Sequence, residues 1–273
     1  MFPSGRSVMK NRFAFSFHAC CAALSAVLFS AGCATAPLNT VSQYSTIDAL
    51  LAGGYDGSIP LEKMLDYGDL GLGTFDKLDG EMVVLDGEIY QVLASGEVKR
   101  PPLDETTPFF NICHFSPDNS FKLPPGTKSK TVKRIIDGLM ANPNLFYAIR
   151  IEGTFKTVKA RSVPAQKKPY KPLLEVVKHQ SVFTFKNIEG VIVGFRGPKF
   201  IKGVGVPGYH LHFISKDGKK GGHVLDFELS GGNCAIDQCD NFLLRLPTRR
   251  KYFPENIESV PHDALDQVER NKH

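Results

Sequence analysis

Gly208-Tyr209-His210-Leu211-His212-Phe213-Ile214, followed by Lys216-Asp217-Gly218-Lys219-Lys220-Gly221-Gly222-His223, is the stretch on which the fold turns. Side chains alternate along a β-strand, so His210 and His212 share one face while Leu211 and Phe213 take the other. The Asp-Gly and Gly-Gly steps predict a turn. Val224-Leu225-Asp226-Phe227-Glu228-Leu229 then resumes an apolar alternation, so a return strand begins at His223 and brings a third imidazole to the first two. A single histidine is more often a packing or turn residue. Three on one hairpin, with no fourth ligand beside them, fit a catalytic zinc-type site with an open coordination position. Imidazole nitrogen in place of oxygen disfavours magnesium and calcium.

Outward from the hairpin, the N-terminus reads as a leader rather than as part of the fold. Arg6, Lys10 and Arg12 precede the apolar run from Phe13 to Phe29, and Ser30-Ala31-Gly32 lead to Cys33, the form of a bacterial secretory signal. Ser-Ala-Gly-Cys resembles a lipobox, in which the cysteine becomes a lipid anchor. Residues 1–33 are therefore expected to be a signal peptide ending at a lipidated Cys33, with a periplasmic or membrane-anchored product. Ordinary cleavage after Ala34-Thr35-Ala36 is the second reading. A retained span is the third, disfavoured because the run is short and rich in small residues. Removing residues 1–32 takes away three basic residues and no acidic ones, leaving 30 Lys and Arg against 28 Asp and Glu. A chain so close to neutral has no nucleic-acid footprint, and Lys167-Lys168 and Arg249-Arg250-Lys251 read as solvated surface. Twenty Phe without a Trp provide ample core. Export permits a disulfide between Cys234 and Cys239 if the chain bends between them. Without a CxxC, metal binding through these thiols is disfavoured.

Elsewhere the signals are local. Ser58 as a cap, Pro60 and Gly68 predict a short helix. Two Asp-Gly-Glu units at Asp79 and Asp86, each followed by apolar residues, predict a hairpin turning at Asp86-Gly87. Phe109 to Phe115 reads as a strand. Val132, Ile135, Ile136, Leu139 and Met140 fall at helical spacing from Ser129 to Asn142-Pro143. Leu145 to Glu152 and Thr154 to Ala160 read as two strands about Gly153. A proline-rich connection and a helix at Leu173 to His179 suggest a boundary, giving an N-terminal domain at 41–170 and a metal-binding domain at 171–247. The latter's sheet takes Val182 to Lys186, Gly190 to Phe195, the histidine hairpin and Asn241 to Leu246. Residues 248–273 form a tail with a short helical piece from Asp263 to Glu269.

Gly71-Leu72-Gly73-Thr74-Phe75 with Leu78-Asp79-Gly80-Glu81, then Gly153-Thr154-Phe155 with Arg161-Ser162-Val163-Pro164, then Pro207 to Phe213 with Gly221-Gly222-His223, occur in this order. Together they resemble the bacterial alpha-acetolactate decarboxylases from about Val41 to the tail. The resemblance implies an α+β fold with two mixed β-sheets, a larger N-terminal one and a smaller C-terminal one, with a few short helices. It also implies a homodimer, and conversion of 2-acetolactate to acetoin and carbon dioxide at Zn2+. The family's zinc ligands fall on His210, His212 and His223, its site arginine on Arg161, and its site glutamates on Glu81 and Glu269, so that the tail reaches the site.

The chemistry has its own logic. Losing carbon dioxide from a 3-oxo acid leaves an electron pair that must delocalise into the ketone, so a Lewis acid on that oxygen lowers the barrier and stabilises the enediolate. Arg161 suits the leaving carboxylate because its fork stays charged and makes two hydrogen bonds. Glu81 and Glu269 suit the proton transfers, one relieving the hydroxyl and one protonating a single face of the enediolate. The competing reading is an exported metal-binding lipoprotein without catalytic activity. A cupin-type oxygenase lacks support, since Ile214 to Lys216 supply no glutamate.

Overall fold

The computed structural model describes residues 38–254, 257–261 and 263–270. The leader and Cys33, with the cleavage and lipidation expected there, lie outside the described residues. In chain order the elements are β1 (Thr40–Tyr44), α1 (Ile47–Leu51), β2 (Ile59–Pro60), α2 (Leu61–Met64), β3 (Leu70–Thr74), β4 (Glu81–Leu85), β5 (Glu88–Val92), β6 (Val98–Lys99) and β7 (Thr106–Thr107). There follow β8 (Phe110–Cys113), β9 (Asn119–Leu123), α3 (Ser129–Leu139), β10 (Phe146–Ser162), α4 (Leu173–Val176), β11 (Ser181–Gly197), β12 (Gly208–Ser215), β13 (Gly221–Cys239), β14 (Asn241–Arg245) and α5 (Ala264–Arg270).

A seven-stranded sheet has the order β14-β1-β8-β3-β4-β5-β6, and a five-stranded one the order β10-β11-β12-β13-β9. The second sheet curls until β10 also pairs with β13, so four of its strands close on themselves. The predicted histidine hairpin is present, with His212 directly opposite His223. Alternation on β12 sends Leu211 and Phe213 into the core inside this curl, where they meet Ile149, Ile192, Phe227 and the Val132–Ile136 face of α3. Each such side chain, buried from water, contributes roughly 2–3 kcal/mol. Between the sheets, Val41, Leu70, Leu72 and Val83 pack on Ala148, Val191, Val193 and Phe195. A third cluster joins α1, α4 and α5 through Ile47, Leu50, Val176, Leu265 and Val268.

Several expectations change. The two strands read about Gly153 are one strand, because Gly153 lies opposite both Gly190 and Gly232 and lets the backbones approach. A Cβ there would collide with the Gly231 carbonyl. Likewise, 181–197 is one strand. Asn241–Arg245 is a strand, but it joins the first sheet, parallel to β1. The boundary placed between residues 170 and 171 is not a break in the fold: β10 before it pairs along its length with β11 and β13 after it. Ser58 does not cap α2, whose N-terminal neighbour is Pro60; its hydroxyl instead meets Tyr44 Oη at 2.7 Å. Cys234 and Cys239 are free. They lie five residues apart on one unbroken strand, which puts them on opposite faces and roughly 16 Å apart. Accordingly, Cys234 enters the core inside the curl and Cys239 the core between the sheets.

Candidate metal centre and active site

Three imidazoles converge from two adjacent strands. His210 and His212 lie on β12 and His223 near the start of β13, with ring centroids 5.1–5.2 Å apart in all three pairs. One nitrogen of each falls within 4.8 Å of the others. Gly222, with φ +136, delivers His223 to this point; a Cβ there would come within 2.5 Å of the Arg161 carbonyl. The Met82 carbonyl on β4 accepts from His212 Nδ1 at 2.7 Å, which fixes the tautomer and leaves Nε2 with a lone pair. That Nε2 stands 3.3 Å from His223 Nδ1. Two nitrogens on one tetrahedral zinc, with bonds of about 2.0–2.1 Å, stand about 3.4 Å apart. Burial lowers the pKa of all three rings: His210 to about 3, and His212 and His223 well below the ordinary value, with the Arg161 charge adding to the effect in each. All three are therefore neutral, the state a metal requires of them. His210 Nδ1 is buried without any hydrogen-bond partner. Such an atom costs free energy unless something fills its lone pair.

Around the rings stand the other expected groups. Arg161, near the end of β10, lies opposite His223 in the ladder and is 4 % exposed. Its Nη1 donates to Gln180 Oε1 at 3.1 Å, while its buried Nε has no partner. Glu81 opens β4, and its carboxylate is 3.5 Å from His212 Nε2. Glu269 comes from α5, whose Ala264, Leu265 and Val268 are buried, and its Oε2 is 3.6 Å from His223 Nε2. Burial pushes both carboxyls up to about 7, opposed by the Arg161 charge. In Glu81 the negative charge of Glu269 adds to the rise. Because the rings are neutral, these contacts are not ion pairs.

All six residues named from the sequence line one inner cavity of about 40 Å³, together with Thr74, Phe109 and Val268. An outer cavity of about 570 Å³ shares His223 and Glu269 with it and is bordered by Lys133, Lys199 and Lys202. Sequence reasoning did not find Gln180, the Met82 carbonyl or these lysines. A carbonyl has no sequence signal, and the lysines are brought together only by the fold.

Residues 41–259 match the family model for alpha-acetolactate decarboxylase. The chain belongs to the alpha-acetolactate decarboxylase family. It is thereby an enzyme, a carboxy-lyase. An alpha-acetolactate decarboxylase of Methanosarcina mazei is 44 % identical over 228 residues, covering 84 % of this chain and 79 % of that one. One from Bacillus subtilis is 41 % identical over 230 residues, covering 84 % and 90 %. The crystal structure of the alpha-acetolactate decarboxylase from Bacillus subtilis strain 168 superposes with a TM-score of 0.82 at 39 % identity, over 85 % of this chain and 99 % of that one. The family membership leaves the non-catalytic lipoprotein reading without support.

Proposed function

We propose that the chain converts 2-acetolactate to acetoin and carbon dioxide with a zinc ion held by His210, His212 and His223. The observation that carries this is the meeting of three neutral imidazoles, one arginine and two buried carboxyls in one small cavity of a chain from this family. The chemistry such an ion supplies is Lewis acidity at the ketone oxygen, the atom that takes up the electrons left by carbon dioxide.

The protein's own groups account for the rest. Arg161 is held through Nη1 by Gln180, so the remaining donors of this buried side chain are fixed in direction. They suit the substrate carboxylate, and the charge costs no reorganisation when it is used. Glu81 and Glu269 share the site with carboxyls that titrate near neutrality. A charge on one helps hold the proton on the other, which suits one to take the hydroxyl proton and the other to deliver a proton to the reacting carbon. Val268 and Phe109 close the cavity with apolar wall. The lysines of the outer cavity give an anionic substrate a favourable approach.

Arg161→Ala separates binding from catalysis. The variant is expected to retain its zinc while acetoin formation falls about 10²–10³-fold; unchanged turnover would remove Arg161 from the reaction. The proposal extends to place and assembly: an exported homodimer, periplasmic or anchored by lipid at Cys33. Its support is the leader composition and Ser30-Ala31-Gly32-Cys33 for the first, and the family resemblance for the second. Membrane fractionation of the Cys33→Ala variant and sedimentation of the purified protein test the two points.

A further inference from the structure

Two thiols that the reaction does not use lie in the core between the sheets. Cys113 ends β8 in the seven-stranded sheet and Cys239 ends β13 in the five-stranded one. Both are fully buried, and both belong to the same inter-sheet cluster. Within that cluster the two thiols are neighbours, and Cys239 is the first influence that raises the Cys113 thiol. Hydrogen bonds hold both segments in place. Asp69 N–H donates to the Cys113 carbonyl at 2.9 Å. Ser116 N–H, three residues beyond Cys113, donates to Oδ2 of Asp237, two residues before Cys239, at 2.8 Å. Cys234, the remaining free cysteine among the described residues, packs in the other core and is not placed to compete.

We propose that Cys113 and Cys239 form a disulfide joining the two sheets when the chain folds in an oxidising compartment, the setting indicated by the basic and apolar leader. The co-reactant is an external disulfide. The Cys113 thiolate attacks one of its sulfurs, the external S–S bond breaks, and one thiolate leaves. The Cys239 thiolate then attacks the Cys113 sulfur of this mixed disulfide and releases the second. Two electrons pass to the external disulfide, and the protons of the two cysteines end on its two thiols. Contact with Cys239, burial, and the charges of Asp237 and Asp69 all hold the Cys113 thiol protonated in the folded protein. Exchange therefore belongs to folding, before β13 docks, and the finished bond is sheltered from reductant. An uncharged bridge with no donor to satisfy suits this apolar setting, and it closes a loop of more than a hundred residues.

The test is to unfold the purified full chain, refold it in reduced and oxidised glutathione, alkylate it under denaturing conditions, and map the peptides by mass. The peptides carrying Cys113 and Cys239 are expected linked and Cys234 alkylated, with Cys234→Ser giving the same link. Reduction is expected to lower Tm by roughly 5–10 °C. A chain that does not refold is made instead by cell-free synthesis in the same redox buffer and mapped identically. Folded protein with both Cys113 and Cys239 alkylated, or a linked pair containing Cys234, overturns the proposal.

Discussion

At the residue scale, burial and a few fixed contacts set the state of the site side chains. His212 is oriented by the Met82 carbonyl, Arg161 by Gln180, and both carboxyls are raised by burial beside a fixed positive charge. The account predicts that Glu81→Gln, which keeps shape and hydrogen bonding but cannot exchange a proton, lowers kcat about 10²–10⁴-fold with zinc content unchanged. Metal analysis alongside steady-state kinetics checks this, and normal turnover would take Glu81 out of the proton chemistry. The histidine cluster is legible in the sequence because period-two alternation places His210 and His212 on one face and the turn signals return the chain at His223. Glu81, Arg161 and Glu269 have no such local signal. They are readable only through resemblance, since what gathers them is contact between elements far apart in sequence.

At the element scale, long curled strands carry the architecture. A strand of seventeen residues such as β10 requires positions where neighbouring backbones come close, and Gly153 is one of them. Gly153→Ala is predicted to lower stability by about 1–3 kcal/mol through a clash with the Gly231 carbonyl. An unchanged urea midpoint would show that the strands can separate there at no cost. Read from the sequence, Gly153 marks a break, because glycine within an apolar run is the ordinary sign of a turn. The helix Ser129–Leu139 and the hairpin at Asp86-Gly87 are legible because their signals are local. The attachment of β14 to β1 is not: which sheet a short strand joins depends on pairing partners some two hundred residues away.

At the scale of the whole molecule, the site sits where the two sheets and α5 meet: Glu81 comes from one sheet, the histidines and Arg161 from the other, and Glu269 from the helix. The same meeting of sheets buries Asp237, whose carboxyl burial pushes up to about 6 against the lowering effect of the Ser116 N–H. An acid raised above its unfolded value of about 3.9 binds its proton more tightly in the folded state, so its contribution to stability declines as pH rises from about 4 to about 6. Asp237→Asn retains an acceptor for Ser116 and is predicted to be more stable than the parent by about 2 kcal/mol at pH 7.5, with the gap closing near pH 4. Urea unfolding of both proteins at the two pH values checks the sign, and a constant gap would contradict it. A two-sheet α+β architecture is legible from strand signals and resemblance together. Its division at residue 170 is not supported by the fold, because the proline-rich connection there joins strands of one sheet instead of separating two domains. The most direct measurement is acetoin formation from 2-acetolactate by the purified protein as prepared, after a chelator, and after zinc is returned. The account predicts activity that is lost with the metal and restored by zinc. Bound zinc with no acetoin, or turnover indifferent to chelation, would contradict it.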